Sequence, residues 1–322
     1  MTARRVALRV GVALVTLAFV LVFNFFMIRA AGDPANDLAR NPRLDAQSQE
    51  ALIRERGLDQ STFVQFQRYV EDTLTLDLGT SFNTQQPVWD ELMDALPNTL
   101  LVVGIGTILA SVLGTLIGAW AGSRRGSPRD TALTQGSLVL YSMPEFWLGM
   151  LMIYVFSVEL GWFPSGLKQE PGAQYDSTLD EWWDIAQHAF LPIVTLTLGL
   201  LAQYALVMRA SLTNVLHEDF IVTARALGNT RRRVLRKHAV RNALLPVVTV
   251  IGLNLGLVLG GVIAIEALFS WPGLGTLALE GIEEKDYPML QGLFLLTASV
   301  VIVFNLVVDL LYTYLDPRVR TA

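Results

Sequence analysis

Six long apolar runs, separated by polar stretches of very unequal length, constrain this chain more than any other feature. They are Val6–Ile28, Leu100–Ala121, Leu133–Phe156, Phe190–Val207, Leu244–Phe269 and Leu293–Leu315. About 20 consecutive apolar residues carry a helix across the ~30 Å of hydrocarbon in a bilayer. Each run reaches or approaches that length. The fourth is the shortest, and Pro144 and Glu145 interrupt the third. A composition of 52% hydrophobic and only 16% charged residues excludes an ordinary soluble domain. The expected fold class is an all-α membrane protein of six transmembrane helices. The first run exceeds the ~7–15 apolar residues of a secretory signal and is followed by no small-x-small cleavage site, so it reads as a retained span.

Orientation follows from the basic residues. With six spans, both termini share one side with the second and fourth loops. Sixteen of the 24 Lys and Arg fall there: Arg4, Arg5 and Arg9, then Arg124, Arg125 and Arg129, eight from Arg209 to Arg241, and Arg318 and Arg320. The positive-inside rule makes that side cytoplasmic, with both termini. Acid gathers in the opposite loops, including Glu283-Glu284-Lys285-Asp286. Trp89, Trp120, Trp162, Trp182, Trp183 and Trp271 lie near span ends, as in an aromatic belt. With no Cys there is no disulfide and no thiolate chemistry.

Residues 29–96 are too long for a connector. They hold an expected helix from Ala46 to Arg56 closed by Gly57, and another from Phe63 to Leu74 followed by Gly79 and Pro87. We read 1–96 as the first span plus an external subdomain, 97–316 as a five-helix core with a cytoplasmic loop at 209–243, and 317–322 as a cytoplasmic tail. Breakers at Pro164, Gly166, Pro171 and Gly172 make 159–188 a second external loop with an amphipathic stretch at Trp182-Trp183. Gly114, Gly118 and Gly122, and Gly252, Gly256 and Gly260, repeat every four residues, a spacing that lets helix backbones approach in lipid.

Catalytic motifs are lacking. There is no GxxxxGK[ST] loop for nucleotide phosphates, and His217-Glu218 has no His at 221 to complete a zinc-protease helix. Three His in all leave no expected metal site, and Gly273-Leu274-Gly275 follows an apolar helix rather than a strand. The chain reads as no enzyme, with no catalytic residues. Ionisable groups inside spans are costly and mark function. Glu145, Arg209 and Asp309 are the candidates. Arg209 is expected to snorkel toward the headgroups, and Asp309 to pair with a cytoplasmic Arg. Tyr141, Glu145, Asn254 and Asn305 are the candidate path or gate residues. Such carboxylates are too sparse for a proton-driven relay.

The loop at 209–243 has a definite shape. In Asp219–Leu227, Phe220, Ala224 and Leu227 fall at i, i+4 and i+7, predicting one apolar face on a short helix. Glu218 and Asp219 suit its positive N-terminus and Arg225 its C-terminal half. Gly228 can take the left-handed conformation that stops a helix. Two readings stand open: a helix lying on headgroups, with Arg231, Arg232, Arg233, Arg236, Lys237 and Arg241 binding anionic lipid, or a surface shaped to receive a soluble partner.

Ordered strings along nearly the whole chain bear on that choice. They are ERGLD from Glu55, LDLGTSF from Leu76, PVWDELMDALPNTLLV from Pro87, YSMPEFWLG from Tyr141, WFPSG from Trp162, EDFIVTARALG from Glu218, FSWPGLG from Phe269, DYP from Asp286 and DPRV from Asp316. In these the chain resembles the binding-protein-dependent ABC importer permeases, specifically the first permease subunit of the dipeptide and oligopeptide class. The resemblance implies a type I importer permease fold in a bacterial or archaeal cell membrane. It implies that Glu218, Asp219, Phe220, Thr223, Ala224, Arg225, Ala226, Leu227 and Gly228 form a coupling helix that docks on an ATP-hydrolysing subunit. The implied partners are a homologous second permease, two ATP-binding subunits or domains carrying ATP and Mg, and an external solute-binding protein, with no nucleic acid. No cofactor is implied on this chain. Aligned on Gly228, the family's Glu-Ala-Ala triplet reads Val222-Thr223-Ala224, and Arg241 stands where a Pro is expected, with Pro246 following; these departures fit the peptide branch. Glu280, Glu283, Glu284 and Asp286 would form a solvated rim or meet basic residues of the docked binding protein. Peptides are the expected solute, with oligosaccharides or metal chelates as alternatives; the rival class is a self-contained secondary transporter.

Overall fold

The computed structural model describes residues 3–32, 46–55 and 57–315. Among them the regular structure is helical, and the one β interaction is an isolated antiparallel bridge between Thr80 and Pro87. The helices, in chain order, are α1 (Ala3–Ala31), α2 (Ala46–Glu55), α3 (Thr62–Leu74), α4 (Val88–Gly122), α5 (Pro128–Ser142) and α6 (Glu145–Met152), the last continued by a π-helical stretch at Ile153–Glu159. Then come α7 (Thr178–Val215), α8 (Asp219–Ala226), a turn at Arg231–Arg233 and a π-helical stretch at Val234–Ala239 leading into α9 (Val240–Leu268), α10 (Leu274–Glu283) and α11 (Tyr287–Leu315). Four helices are long and apolar enough to cross a membrane, α1, α4, α7 and α11, and a fifth crossing results if α5 and α6 count as one. The fifth apolar run lies on α9. The middle of α9, with Gly256 and Gly260, lies outside the described side chains, as do Asp309's side chain and the Asp316–Val319 string.

Two departures from the sequence reading have local causes. The third apolar run is not one rod: α5 and α6 meet at 101°. Pro144 has no N–H to give the ladder and forces its predecessor out of the helical region. Met143 is accordingly extended, at φ −82° and ψ 130°. The fourth run belongs to a 38-residue helix, because α7 begins at Thr178 and absorbs the Trp182-Trp183 stretch expected in a loop. Ser177 caps it by accepting the Asp180 N–H at 3.3 Å, and Asp180 and Glu181 complement its positive end.

The chain divides into two compact units, one of residues before Thr99 together with Gly273–Tyr314, the other of Thr99–Pro272. In the first unit, Val88, Leu92 and Ala95 of α4 pack with Leu274 and Met289. Buried Asn24, in the middle of an apolar run, donates to the Tyr69 hydroxyl at 3.1 Å and the Gln291 carbonyl at 3.0 Å. Arg29 stacks 3.5 Å over Phe25 and bonds Gln65. These contacts fasten α3 to α1.

In the second unit α7 is the hub, packed against α5, α6 and α9. Leu191, Leu196, Leu201 and Tyr204 of α7 join Val262, Ile265 and Phe269 in its main core. The Gly114, Gly118 and Gly122 face is a packing face: a methyl group at Gly114 would stand 2.7 Å from the Leu201 carbonyl oxygen of α7, and one at Gly118 would strike the Ala205 carbonyl. Trp271 is fully buried in this core. It is therefore no member of an aromatic belt, because the turn after α9 folds it inward.

Candidate functional site

The most shaped feature of the second unit is the segment from the end of α7 to the start of α9. Glu218 is extended, at φ −71° and ψ 148°, and Asp219 opens α8. Thr223 donates its hydroxyl to the Asp219 carbonyl at 3.0 Å, and Asn229 donates its amide to the Ala224 carbonyl at 2.9 Å. Gly228 ends the helix at φ +76°, a left-handed conformation that costs an L side chain roughly 1–2 kcal/mol. The expected extent of the helix and its stop are both present.

The expected apolar face is not the buried one. Ile221 is fully buried and Ala224 nearly so, against Met208 and Leu212 of α7, Val234 and Ala239 of the π-helical stretch, and Ala243 and Val247 of α9. Phe220 and Leu227 are exposed, the latter at 77%, together with Val222. Glu218, Asp219, Thr223, Arg225, Ala226 and Gly228 are also exposed. The segment is apolar at Phe220, Ile221, Val222, Ala224, Ala226 and Leu227, so spacing alone fits more than one face. Packing on α7 selected Ile221 with Ala224 and left Phe220 and Leu227 pointing outward.

Beside α8 stands a pair that sequence reading missed. Arg209, expected to reach toward the headgroups, is committed to a carboxylate. It donates from Nε and one terminal nitrogen to the two carboxylate oxygens of Asp130, at 2.7 and 2.9 Å. Asp130 is only 2% exposed and Arg209 29%. Asp130 also accepts the Gly126 N–H at 2.9 Å and the Thr134 hydroxyl at 3.3 Å. Asp130 was hidden in plain view as the one acid within a basic loop. Just after α8 in the chain, Arg231 donates to the Ser123 carbonyl at 2.8 Å. A cavity of about 420 Å³ lies among Ser123, Leu216, Arg225, Arg231, Val234 and Leu235.

The path candidates are differently placed. Tyr141, near the end of α5, is exposed, and Glu145 opens α6 half-buried, its side chain alongside Gly199 of α7. They flank the α5–α6 bend. Asn254 is buried and committed to the hub, donating to Gln203 Oε1 at 2.8 Å and to the Tyr204 hydroxyl at 3.3 Å. Asn305, on α11 in the first unit, is exposed. Glu266 was overlooked although it lies inside the fifth apolar run. It is fully buried in α9 and accepts the Thr99 hydroxyl at 2.7 Å.

The acidic quartet splits. Glu280, Glu283 and Glu284 are exposed, but Asp286 is 2% exposed and belongs to no open rim. It caps α11 by accepting the Met289 N–H at 3.2 Å, and it accepts the Asn83 N–H at 3.1 Å and the Ser81 hydroxyl. The LDLGTSF string thus folds onto the start of the last helix, which takes Asp286 out of solvent. Among the described residues, no cluster of His, Asp and Glu could hold a metal.

Comparison with known proteins places these features in a family. The model of the "Binding-protein-dependent transport system inner membrane component" family matches residues 114–321, and the corresponding N-terminal model, "Binding-prot-dependent transport system membrane comp, N-term", matches residues 2–103. The chain is 38% identical to the di/tripeptide transport system permease protein DppB of Pseudomonas aeruginosa, over 98% of each chain. It is 36% identical to the oligopeptide transport system permease protein AppB of Bacillus subtilis, over 94% of each. It is 40% identical to the glutathione transport system permease protein GsiC of an Escherichia coli O6:H1 strain, over 94% of this chain and 93% of that one. Among solved structures, a chain of the inward-facing MetNI methionine ABC transporter aligns with a TM-score of 0.56 at 20% identity, covering 70% of this chain and 96% of that one. That likeness concerns the fold.

Proposed function

Because the chain belongs to the binding-protein-dependent transport system inner membrane component family, we propose that it is the inner-membrane permease subunit of an ATP-driven bacterial importer of peptides. The relatives named for di- and tripeptides, oligopeptides and glutathione match almost end to end, and all three names denote short peptides. In this reading six helices cross the membrane with both termini cytoplasmic, and residues 29–96 fold outside. A solute-binding protein delivers peptide to the outer face, with Glu280, Glu283 and Glu284 available to its basic residues. The path runs between this subunit and a homologous second permease, with Tyr141, Glu145 and Asn305 as its candidate lining on this side. Asn254 seats α9 on α7 beside it. ATP and Mg are handled by two ATP-binding subunits, whose closure moves α8.

The observation that carries the coupling role is the two-sided character of α8. Ile221 and Ala224 anchor it to its own chain, while Phe220, Val222 and Leu227 stand exposed beyond the anchor. Fully burying a free Phe or Leu is worth about 1.5–3 kcal/mol; Leu227, 77% exposed, would gain most of that and Phe220, 39% exposed, less than half, so such a tip favours insertion into a partner's cleft. Exposed carboxylates there would oppose it. Replacing Phe220 and Leu227 together by Asp should leave membrane insertion intact, remove the ATP-binding subunits from the purified complex and abolish ATP-dependent peptide uptake in proteoliposomes. Normal co-purification with normal uptake would remove α8 from the coupling role.

A further inference from the structure

Two polar tethers connect the α4–α5 turn and the first turn of α5 to the segments that precede and follow α8. One is the Asp130–Arg209 pair, on the last turns of α7 before the chain enters α8. The other is Arg231, just after α8, bonded to the carbonyl of Ser123. Ser123 is itself held from within the turn, because Arg129 donates to its hydroxyl at 3.0 Å and to the Trp120 carbonyl at 2.9 Å. The Gly126 N–H closes the same turn onto Asp130. The ~420 Å³ cavity lined by Ser123, Arg225 and Arg231 means that close packing is interrupted where the turn approaches the α8 segment. At that gap Arg231 and Ser123 are joined by a polar link, beside the close packing of Gly118 and Gly122 on α7.

The chemistry of these links matters. A two-pronged guanidinium–carboxylate contact fixes distance and orientation, whereas an apolar contact can slide. For stability alone a buried ion pair is a poor choice, since apolar residues of similar volume often serve as well or better. Directional attachment is what the pair adds. We propose that Asp130, Arg209, Ser123 and Arg231 form a strap that makes the α4–α5 turn move as one body with α8, so that displacement of α8 is delivered to α4 and α5. Asp130 is then a positioning residue: it acts through Arg209 and touches neither peptide nor nucleotide. The inference rests on the reading of α8 as the coupling helix.

The test uses the complete transporter, with both permeases, the ATP-binding subunits and the binding protein, in proteoliposomes where uptake and ATP hydrolysis are measured together. Asp130→Asn and Arg209→Gln should each lower uptake per ATP hydrolysed roughly tenfold while hydrolysis stays within about twofold of the parent. The double variant, which leaves no orphaned charge, should recover much of the ratio. Because the chain has no Cys, Ser123→Cys with Arg231→Cys gives a single pair to bridge with a short bismaleimide. Bridged transporter should keep the parent's uptake per ATP, since the strap stays closed through the cycle. Single variants that lower uptake and hydrolysis in proportion would overturn the proposal, as would a bridge that stops uptake. If the single variants do not assemble, the bridged pair decides. Absence of ATP-dependent uptake in the parent would count against the permease reading and not against the strap.

Discussion

Asp130 and Asp286, one in each compact unit, solve the same problem in different ways. Each is a carboxylate 2% exposed at the start of a helix, and each closes a neighbouring loop. Asp286 is met by neutral donors, the N–H groups of Met289 and Asn83 and the hydroxyl of Ser81. Asp130 adds to such donors a bidentate arginine from another helix. A carboxylate held by neutral dipoles gives up one accepting oxygen when it is exchanged for an amide, but strands no charged partner. A carboxylate paired with a cation does strand one, because removing its charge leaves the cation unpaired. Burial is alike in the two; dependence on formal charge is not.

That contrast can be broken by substitution. The largest effect is expected at Asp130: Asp130→Ala should cost about 3 kcal/mol, near the lower end for a broken buried pair because Arg209 keeps some access to water. Asp130→Asn should recover little of it. Thermal unfolding of the purified complex, followed as loss of the monodisperse species, measures both. The next effect is at Asp286, where Ala should cost about 1–2 kcal/mol through the lost cap and Asn should cost less, because it keeps one of the two accepting oxygens. Equal sensitivity of the two sites to the Asn exchange would erase the distinction. The smallest effect belongs to the exposed neighbours of Asp286: Glu283→Gln with Glu284→Gln should shift stability by no more than about 0.5 kcal/mol. If those two carboxylates greet a basic binding protein, the same variant slows its association at low salt and much less at physiological salt, where the Debye length is ~8 Å. An association rate unmoved by mutation and salt leaves them as a solvated rim.

Legibility followed the range of the forces involved. The apolar runs announced α1, α4, α7, α9 and α11, because a bilayer demands length and composition that a linear reading captures. The stop at Gly228 depends on a few adjacent residues. Pro144 marked the break in the third run; that α5 and α6 meet there at 101°, both packed on α7, was not legible. Glu266 was readable as a carboxylate in an apolar run; its partner Thr99, 167 residues away, was not.

From residue order alone came the membrane class, the helix-stop chemistry, and a resemblance long enough to name the machine. All three rest on local patterns of hydropathy, backbone preference and ordered strings. Which face of α8 is anchored, that Arg209 holds Asp130, that Trp271 and Asp286 are interior, and that Asn254 is bound to Tyr204 were settled by packing between segments distant in the chain. The physical reason is that a polar or apolar side chain has the same composition whether it faces a partner, lipid or water. Only the atoms brought beside it by the fold determine whether its charge is neutralised, its hydrogen bonds are filled, or its apolar surface is left for another protein to cover.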